Sequence, residues 1–252
     1  GVLNTNTMIN YRWSEDIFVK NDVHADGKSH GMVMYVDWSG SMSGILKDTV
    51  EQLLVLVEFC RKVNIPFEVY AFSSQVYCPI QDYYSDEYEA WMKQRGKQWN
   101  ATDDRDCSPH EFSLYNFLSS RMNKREFTAG LNNFWNLTMG CCHYGGQAPR
   151  CLNLGCTPLN EAIWCAIDMV PAFQRANGVQ IVNTVFLTDG EGHGMVRGYS
   201  YRNNRAFVTD KKTKKSYEIK GNETDSLLNM LRDRTGTNLV GVRLHDAKHL
   251  RF

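Results

Sequence analysis

The sequence predicts an α/β fold, a mostly parallel central sheet flanked by helices and carrying a large helical insertion. Two observations predict it. Near-continuous apolar runs of strand length, GMVMYVD (31–37) and IVNTVFL (181–187), alternate with longer segments of helical period. Clusters of Ser, Thr, Gly and Asp follow those runs directly. Strands buried on both faces read as continuous apolar runs, and strands alternating with helices imply right-handed crossovers and a parallel sheet.

Taken in order, residues 1–30 are polar and mixed, with Tyr11, Trp13, Ile17 and Phe18 as anchors, and read as a strapping arm. The main domain spans 31–252. GMVMYVD is its central strand. A helix is expected from about Ile45 to Val63, where Leu46, Val50, Leu53, Leu54, Val57 and Cys60 form one face and Lys47, Glu51, Glu58 and Lys62 the other. PFEVYAF (66–72) is a second strand, and Val76 to Ile80 alternates as a short hairpin return at an edge.

From about 81 to 154 the chain is aromatic, Cys-rich and irregular, which reads as the insertion, with helices near Asp86–Gln94, Glu111–Asn123 and Arg125–Leu137. The core rhythm resumes with a helix from Pro158 to Arg175 and the strand 181–187. KKTKK (211–215) is a hairpin tip, a helix runs from about Glu223 to Arg234, and TNLVGVRL (237–244) is expected as a last buried strand. No internal repeat interrupts this order.

Bulk properties exclude some functions. Lys plus Arg and Asp plus Glu both number 28, so there is no net field to attract nucleic acid or anionic lipid. No apolar run reaches the roughly 18 to 20 residues that span a bilayer, and the N-terminus lacks the order of a signal peptide. The expectation is a soluble, cytoplasmic protein. Gly1 in place of Met suggests a piece of a longer chain. Of eight cysteines, Cys60, Cys78, Cys156 and Cys165 sit in or beside apolar periodic segments and read as buried thiols.

Asp37-Trp38-Ser39-Gly40-Ser41 follows the first strand. Alternate residues leaving a strand end point to one side, so Asp37, Ser39 and Ser41 can converge, and ligands of open α/β sheets bind beyond the strands' carboxyl ends. The plainer reading is a Ser/Gly turn capping the next helix. Two other loops argue against it. Thr157 stands before Pro158 at an expected helix start, and Asp189 directly follows a strand. Taken singly, these read as an N-cap and an Asp-Gly turn. Together, Asp37, Ser39, Ser41, Thr157 and Asp189 form a hydroxyl and carboxylate set suited to Mg²⁺ or another hard divalent ion such as Mn²⁺ or Ca²⁺. Few carboxylates leave the ion residual positive charge for an acidic group from elsewhere.

These three segments resemble the metal-ion-dependent adhesion site of von Willebrand factor A (VWA) domains, over a core from about Gly31 to Leu244. The phrases GVLNTNTMINYRWSEDIF, MVMYVDWSGSM, NIPFEVYAF and LYNFLSSRMNKREF are similar, more closely, to the CobT-like VWA proteins of tailed bacteriophages. The resemblance implies a Rossmann-like VWA fold with Ser39, Ser41 and Thr157 contacting the metal and Asp37 and Asp189 acting directly or through water. It also implies a binding module of the infected bacterial cell that captures an acidic residue of a partner of the MoxR-type AAA+ ATPase class. Such a module is at most an accessory subunit of an ATP-dependent chelatase-like or remodelling complex.

Other groups invite other chemistry. Cys107, His110, Cys141, Cys142, His143 and Cys151 offer soft ligands for a structural zinc, without the C-x-x-C spacing that marks one; coincidental thiols are the plainer reading. Asp37, Asp189, Glu191 and His193 would suit a metal-dependent hydrolase with His193 as proton shuttle, although the motifs lack a further carboxylate or His ligand to fix a catalytic ion. Lys211–Lys215 read as a solvated tip rather than a phosphate contact. Trp91, Trp99 and Trp135 read as anchors of the insertion's own small core.

Overall fold

The computed structural model describes residues 12, 29–75, 84–99, 112–142, 148–190, 192, 194, 205–220 and 223–245. In chain order the elements are β1 (His30–Asp37), α1 (Leu46–Lys62), β2 (Phe67–Ser73), α2 (Asp86–Trp99), β3 (Ser113–Ser119), α3 (Lys124–Cys142), α4 (Leu159–Asn177), β4 (Ile181–Thr188), β5 (Phe207–Thr209), β6 (Ser216–Glu218), α5 (Glu223–Thr235) and β7 (Asn238–Arg243). The central sheet runs β3-β2-β1-β4-β7, parallel except for β3. This is the α/β architecture that the alternation of apolar runs predicts.

β1 is buried on both faces, which is why it is apolar at nearly every position. Met34 and Val36 pack with Leu46, Val50, Leu53, Val57 and Cys60 of α1 and with Phe127 and Phe134 of α3. Val33 and Tyr35 face α4 and α5 on the other side, where Tyr35 stacks between Tyr70 and Phe186 at centroid distances of 5.5 and 4.8 Å. The α1 stripe falls at i, i+3 and i+4, and the turn after it places Asn64 at φ 57°, a left-handed conformation that Asn tolerates.

From β1 the chain steps outward to β2, whereas from β4 it steps the opposite way to β7. The strand order therefore reverses between β1 and β4. Beyond the carboxyl ends of those two strands the following loops diverge and leave a crevice, the place where open α/β sheets bind ligands.

Three expectations need correction. The helix expected at Glu111–Asn123 is the strand β3, antiparallel to β2. Its register against β2 shifts so that Leu118 pairs with Val69 and Asn116 with Tyr70, leaving Phe117 as the extra residue of a bulge. A bulge puts two successive residues on one face. Phe117 and Leu118 thereby share the α1–α3 face while Leu114 lies on the opposite one, so the apolar residues of this strand do not alternate as a regular strand's would. Two elements of the expected 81–154 insertion, β3 and α3, consequently belong to the main sheet and its cover.

Second, β7 is an edge strand rather than a buried one. Val240 and Val242 are 44% and 36% exposed, because α1 reaches over Val185 and Leu187 of β4 but not over β7 on that face. Third, Cys156 is exposed, since the segment before α4 runs across the surface; Cys60 is buried and Cys165 half-buried. The hairpin return expected at Val76–Ile80, the thiol Cys78 and the expected 1–30 arm, apart from Arg12, Ser29 and His30, lie outside the described residues.

The remaining elements agree closely. The 211–215 tip joins β5 to β6, pinned by Asp210, which accepts hydrogen bonds from the Lys212 amide and the Thr213 hydroxyl. Trp91 stacks on Tyr88, whereas Trp135 packs into the main core between α1 and α3 rather than into a separate core of the insertion, and the Trp99 side chain lies outside the described residues. Among the described residues no helix is long and apolar enough to cross a membrane.

Candidate metal centre

Asp37 is the last residue of β1 and is wholly buried. Its Oδ2 accepts a 2.6 Å hydrogen bond from the hydroxyl of Thr188, the last residue of β4. Its Oδ1 has no hydrogen-bond partner. Burial pushes the Asp37 carboxyl up to about 6; the Thr188 hydrogen bond and the neighbouring Ser39 hydroxyl and amide pull against that rise, and the charge of Asp189 adds to it. A buried carboxylate oxygen without a donor costs about 1 to 3 kcal/mol or more, which makes it a place for a cation.

The next residue is an anchor. Trp38 turns to the α1–α3 face, is fully buried, and its indole Nε1 donates to the Leu152 carbonyl at 2.8 Å. That bond ties the loop after β1 to the segment leading into α4. A parallel bridge between Ser39 and Gly155 continues the tie, with the Gly40 amide donating to the Gly155 carbonyl and the Gly155 amide to the Trp38 carbonyl. Gly155 is required here by close approach. A Cβ on it would lie 2.6 Å from Ser74 Oγ and 2.7 Å from Ser73 Oγ. Ser74 Oγ also accepts from the Cys156 amide, so the end of β2 braces the residue before Thr157.

The hydroxyls then gather. Ser39 Oγ and Ser41 Oγ share a hydrogen bond of 3.0 Å, and Ser41 Oγ donates to Asp189 Oδ1 at 3.0 Å. The loops carrying Thr157 and Asp189 meet closely, since a Cβ on Gly190 would be 3.9 Å from Thr157 Oγ1. The structure thus brings all five predicted residues to the β1–β4 crevice.

The capping readings of Ser39 and Thr157 find no support. Ser39 precedes a 3₁₀ turn (Gly40–Gly44) without capping it, and α1 begins after Ile45 with no side-chain cap. α4 begins at Leu159, with Pro158 rather than Thr157 at the cap position and no side-chain cap. In the turn after β4, Thr188 Oγ1 accepts from the Gly190 amide.

The donor set is oxygen only, with two carboxylates and three hydroxyls, and it fits a hard divalent ion better than a soft one. Among the described residues no three His, Cys, Asp or Glu side chains converge. Of the soft-ligand candidates, Cys141, Cys142 and Cys151 are free and half-buried, while Cys107, His110 and His143 lie outside the described residues. Burial pushes the Cys141 thiol up to about 11, with Cys142 adding to the rise, which opposes the thiolate that zinc requires. Glu191 and His193, needed for hydrolysis, also lie outside the described residues.

Sequence reasoning missed two contributors. Thr188 holds the Asp37 carboxylate, and its signal was only the Thr directly preceding Asp189 at a strand end. Gly155 lets the Thr157 segment reach the sheet, and nothing local marks it. No protein-family model matches the chain, and no curated protein matches it either.

Proposed function

We propose that the chain is a VWA-type domain whose hydroxyl-rich site holds Mg²⁺, or Mn²⁺ or Ca²⁺, and uses it to capture an acidic side chain of a protein partner. The observation that carries the reading is the bare, buried Oδ1 of Asp37 beside the linked hydroxyls of Ser39 and Ser41. Ser39, Ser41 and Thr157 would hold the ion through hydroxyls, with Asp37 and Asp189 as its carboxylates. When bound, the ion supplies a Lewis-acidic position that a partner's carboxylate completes.

The chain's own residues account for the rest. Thr188 orients Asp37 so that one oxygen is occupied and the other is left open. The tie between Ser39 and Gly155 fixes the spacing of two loops. A site with only two carboxylates retains affinity for a third, which is what partner capture needs. We further propose a partner of the MoxR-type AAA+ ATPase class and a cytoplasmic setting, both from the likeness to CobT-like phage proteins.

Affinity capture with and without Mg²⁺ tests the reading. Partner binding is expected to vanish with EDTA, return with Mg²⁺, and be lost in Thr157→Ala while circular dichroism is unchanged. Capture that survives both treatments refutes it.

A further inference from the structure

We infer that Asn160 is a positioning residue for the metal centre, holding the loop that carries Asp189 and linking that loop to the start of α5. The inference rests on the metal reading proposed above. Asn160 lies in the first turn of α4, three residues after Thr157, and is completely buried despite its polar amide. Its Oδ1 accepts a 2.7 Å hydrogen bond from the hydroxyl of Thr224, in the first turn of α5. On its other side the backbone after β4 presses against it. A Cβ on Gly192 would lie 2.9 Å from Asn160 Oδ1, 3.1 Å from its Cγ and 3.2 Å from Leu159 Cβ.

Three segments therefore meet at one amide: the helix start that follows Thr157, the loop that follows Asp189, and the N-terminus of α5. Asp189 lies three residues before Gly192, so the place where Gly192 rests sets where the Asp189 carboxylate stands relative to Ser41 Oγ. Thr188 fastens the near end of this loop to Asp37, and Asn160 supports the far end. Neither touches the proposed ion. Residues that orient metal ligands in this way commonly change metal affinity by about 10- to 100-fold when replaced.

The contact is steric as well as polar, and that supplies a discriminating test. Asn160→Ala removes the support; Gly192→Ala pushes the loop away from it. Each alone is expected to weaken Mn²⁺ binding by about 10-fold or more, read by electron paramagnetic resonance of the free ion. Combined, they are expected to be no worse than Asn160→Ala alone, because truncating Asn160 removes the two nearest of the three atoms in the way of the new Cβ. Thr224→Val, which keeps the shape and removes the donor, is expected to give a smaller loss in the same direction.

Amide hydrogen exchange of the metal-free protein gives a second readout, with faster exchange expected at 189–192 in Asn160→Ala and no change in β1. Wild-type affinity in both single variants, or losses that simply add in the double variant, overturns the inference. A wild-type protein that takes up no Mn²⁺ overturns the metal centre itself and this inference with it.

Discussion

Two carboxylates are buried on neighbouring strands of the sheet, Asp37 at the carboxyl end of β1 and Glu68 near the amino end of β2, and their surroundings differ. Glu68 is 2% exposed and fully served: Oε1 accepts from Ser119 Oγ at 2.9 Å and Arg121 Nη2 at 2.8 Å, and Oε2 from Asn116 Nδ2 at 2.7 Å. All three donors come from β3 and the turn after it, so Glu68 fastens an antiparallel strand to the sheet. Asp37 receives a donor on one oxygen only. The difference separates a carboxylate that serves the fold from one that burdens it, and the burden stands where a ligand site belongs.

The sharpest way to break this contrast is to remove each acid in turn. Asp37→Ala is expected to weaken Mn²⁺ or Mg²⁺ binding by more than about 100-fold, measured by calorimetric titration, since a direct ligand counts for more than its supports. Glu68→Ala is expected to leave that affinity unchanged.

Stability should sharpen the contrast in the opposite sense. The folded Asp37 carboxyl titrates near 6 against 3.8 when unperturbed, so between roughly pH 4 and 6 the folded form binds more protons than the unfolded one. Stability of the metal-free protein thus falls as pH rises through that window, and the full cost, roughly 3 kcal/mol, is felt at pH 7. Asp37→Asn is expected to stabilise the metal-free protein at pH 7 by up to about that amount and to flatten the pH dependence, as urea titrations would show. Equal stability of the two proteins at pH 7 would contradict the assignment.

Glu68→Ala is expected to destabilise by about 1 to 2 kcal/mol in the same titrations, chiefly because buried Ser119 loses its acceptor. The ion pair adds little, because the Arg121 side chain is 68% exposed and screened by solvent. The smallest effect serves as a control remote from both acids. Asn123 and Glu126 exchange hydrogen bonds at the start of α3, with each backbone amide donating to the other's side chain. Asn123→Ala is expected to lower stability by about 0.5 to 1 kcal/mol and leave metal affinity alone.

What the sequence made legible follows the range of the interactions involved. β1, α1, α4 and β4 declare themselves through local period, and the ends of β1 and β4 carry Asp37 and Asp189 as turn chemistry. β3 was hidden because its bulge sets Phe117 and Leu118 side by side and breaks the alternation that marks a strand. The exposure of β7 depends on how far α1 reaches across the sheet, which no local pattern encodes. Within the site, the five candidate ligands stand in recognisable short motifs, whereas Thr188 and Asn160 act on partners 151 and 64 residues away, Gly155 fits against Ser73 and Ser74 at the end of β2, and all three look ordinary in sequence. The Asn123–Glu126 pair straddles the break at Lys124 between the helices expected at Glu111–Asn123 and Arg125–Leu137, because Asn123 was placed at the end of one helix rather than before the start of the next.

The squeeze at Gly155 has a consequence for how such chains drift. A side chain there collides with the hydroxyls of both Ser73 and Ser74. A descendant can therefore acquire Ala at this position only if those hydroxyls have already gone or the β2 end has moved. The three positions are therefore expected to covary, with the serines changing before the glycine. In a collection of diverged sequences, the triplet would be a stricter signature of this loop arrangement than the D-x-S-x-S string, because it records the clamp that positions Thr157 and not merely the residues that line the crevice.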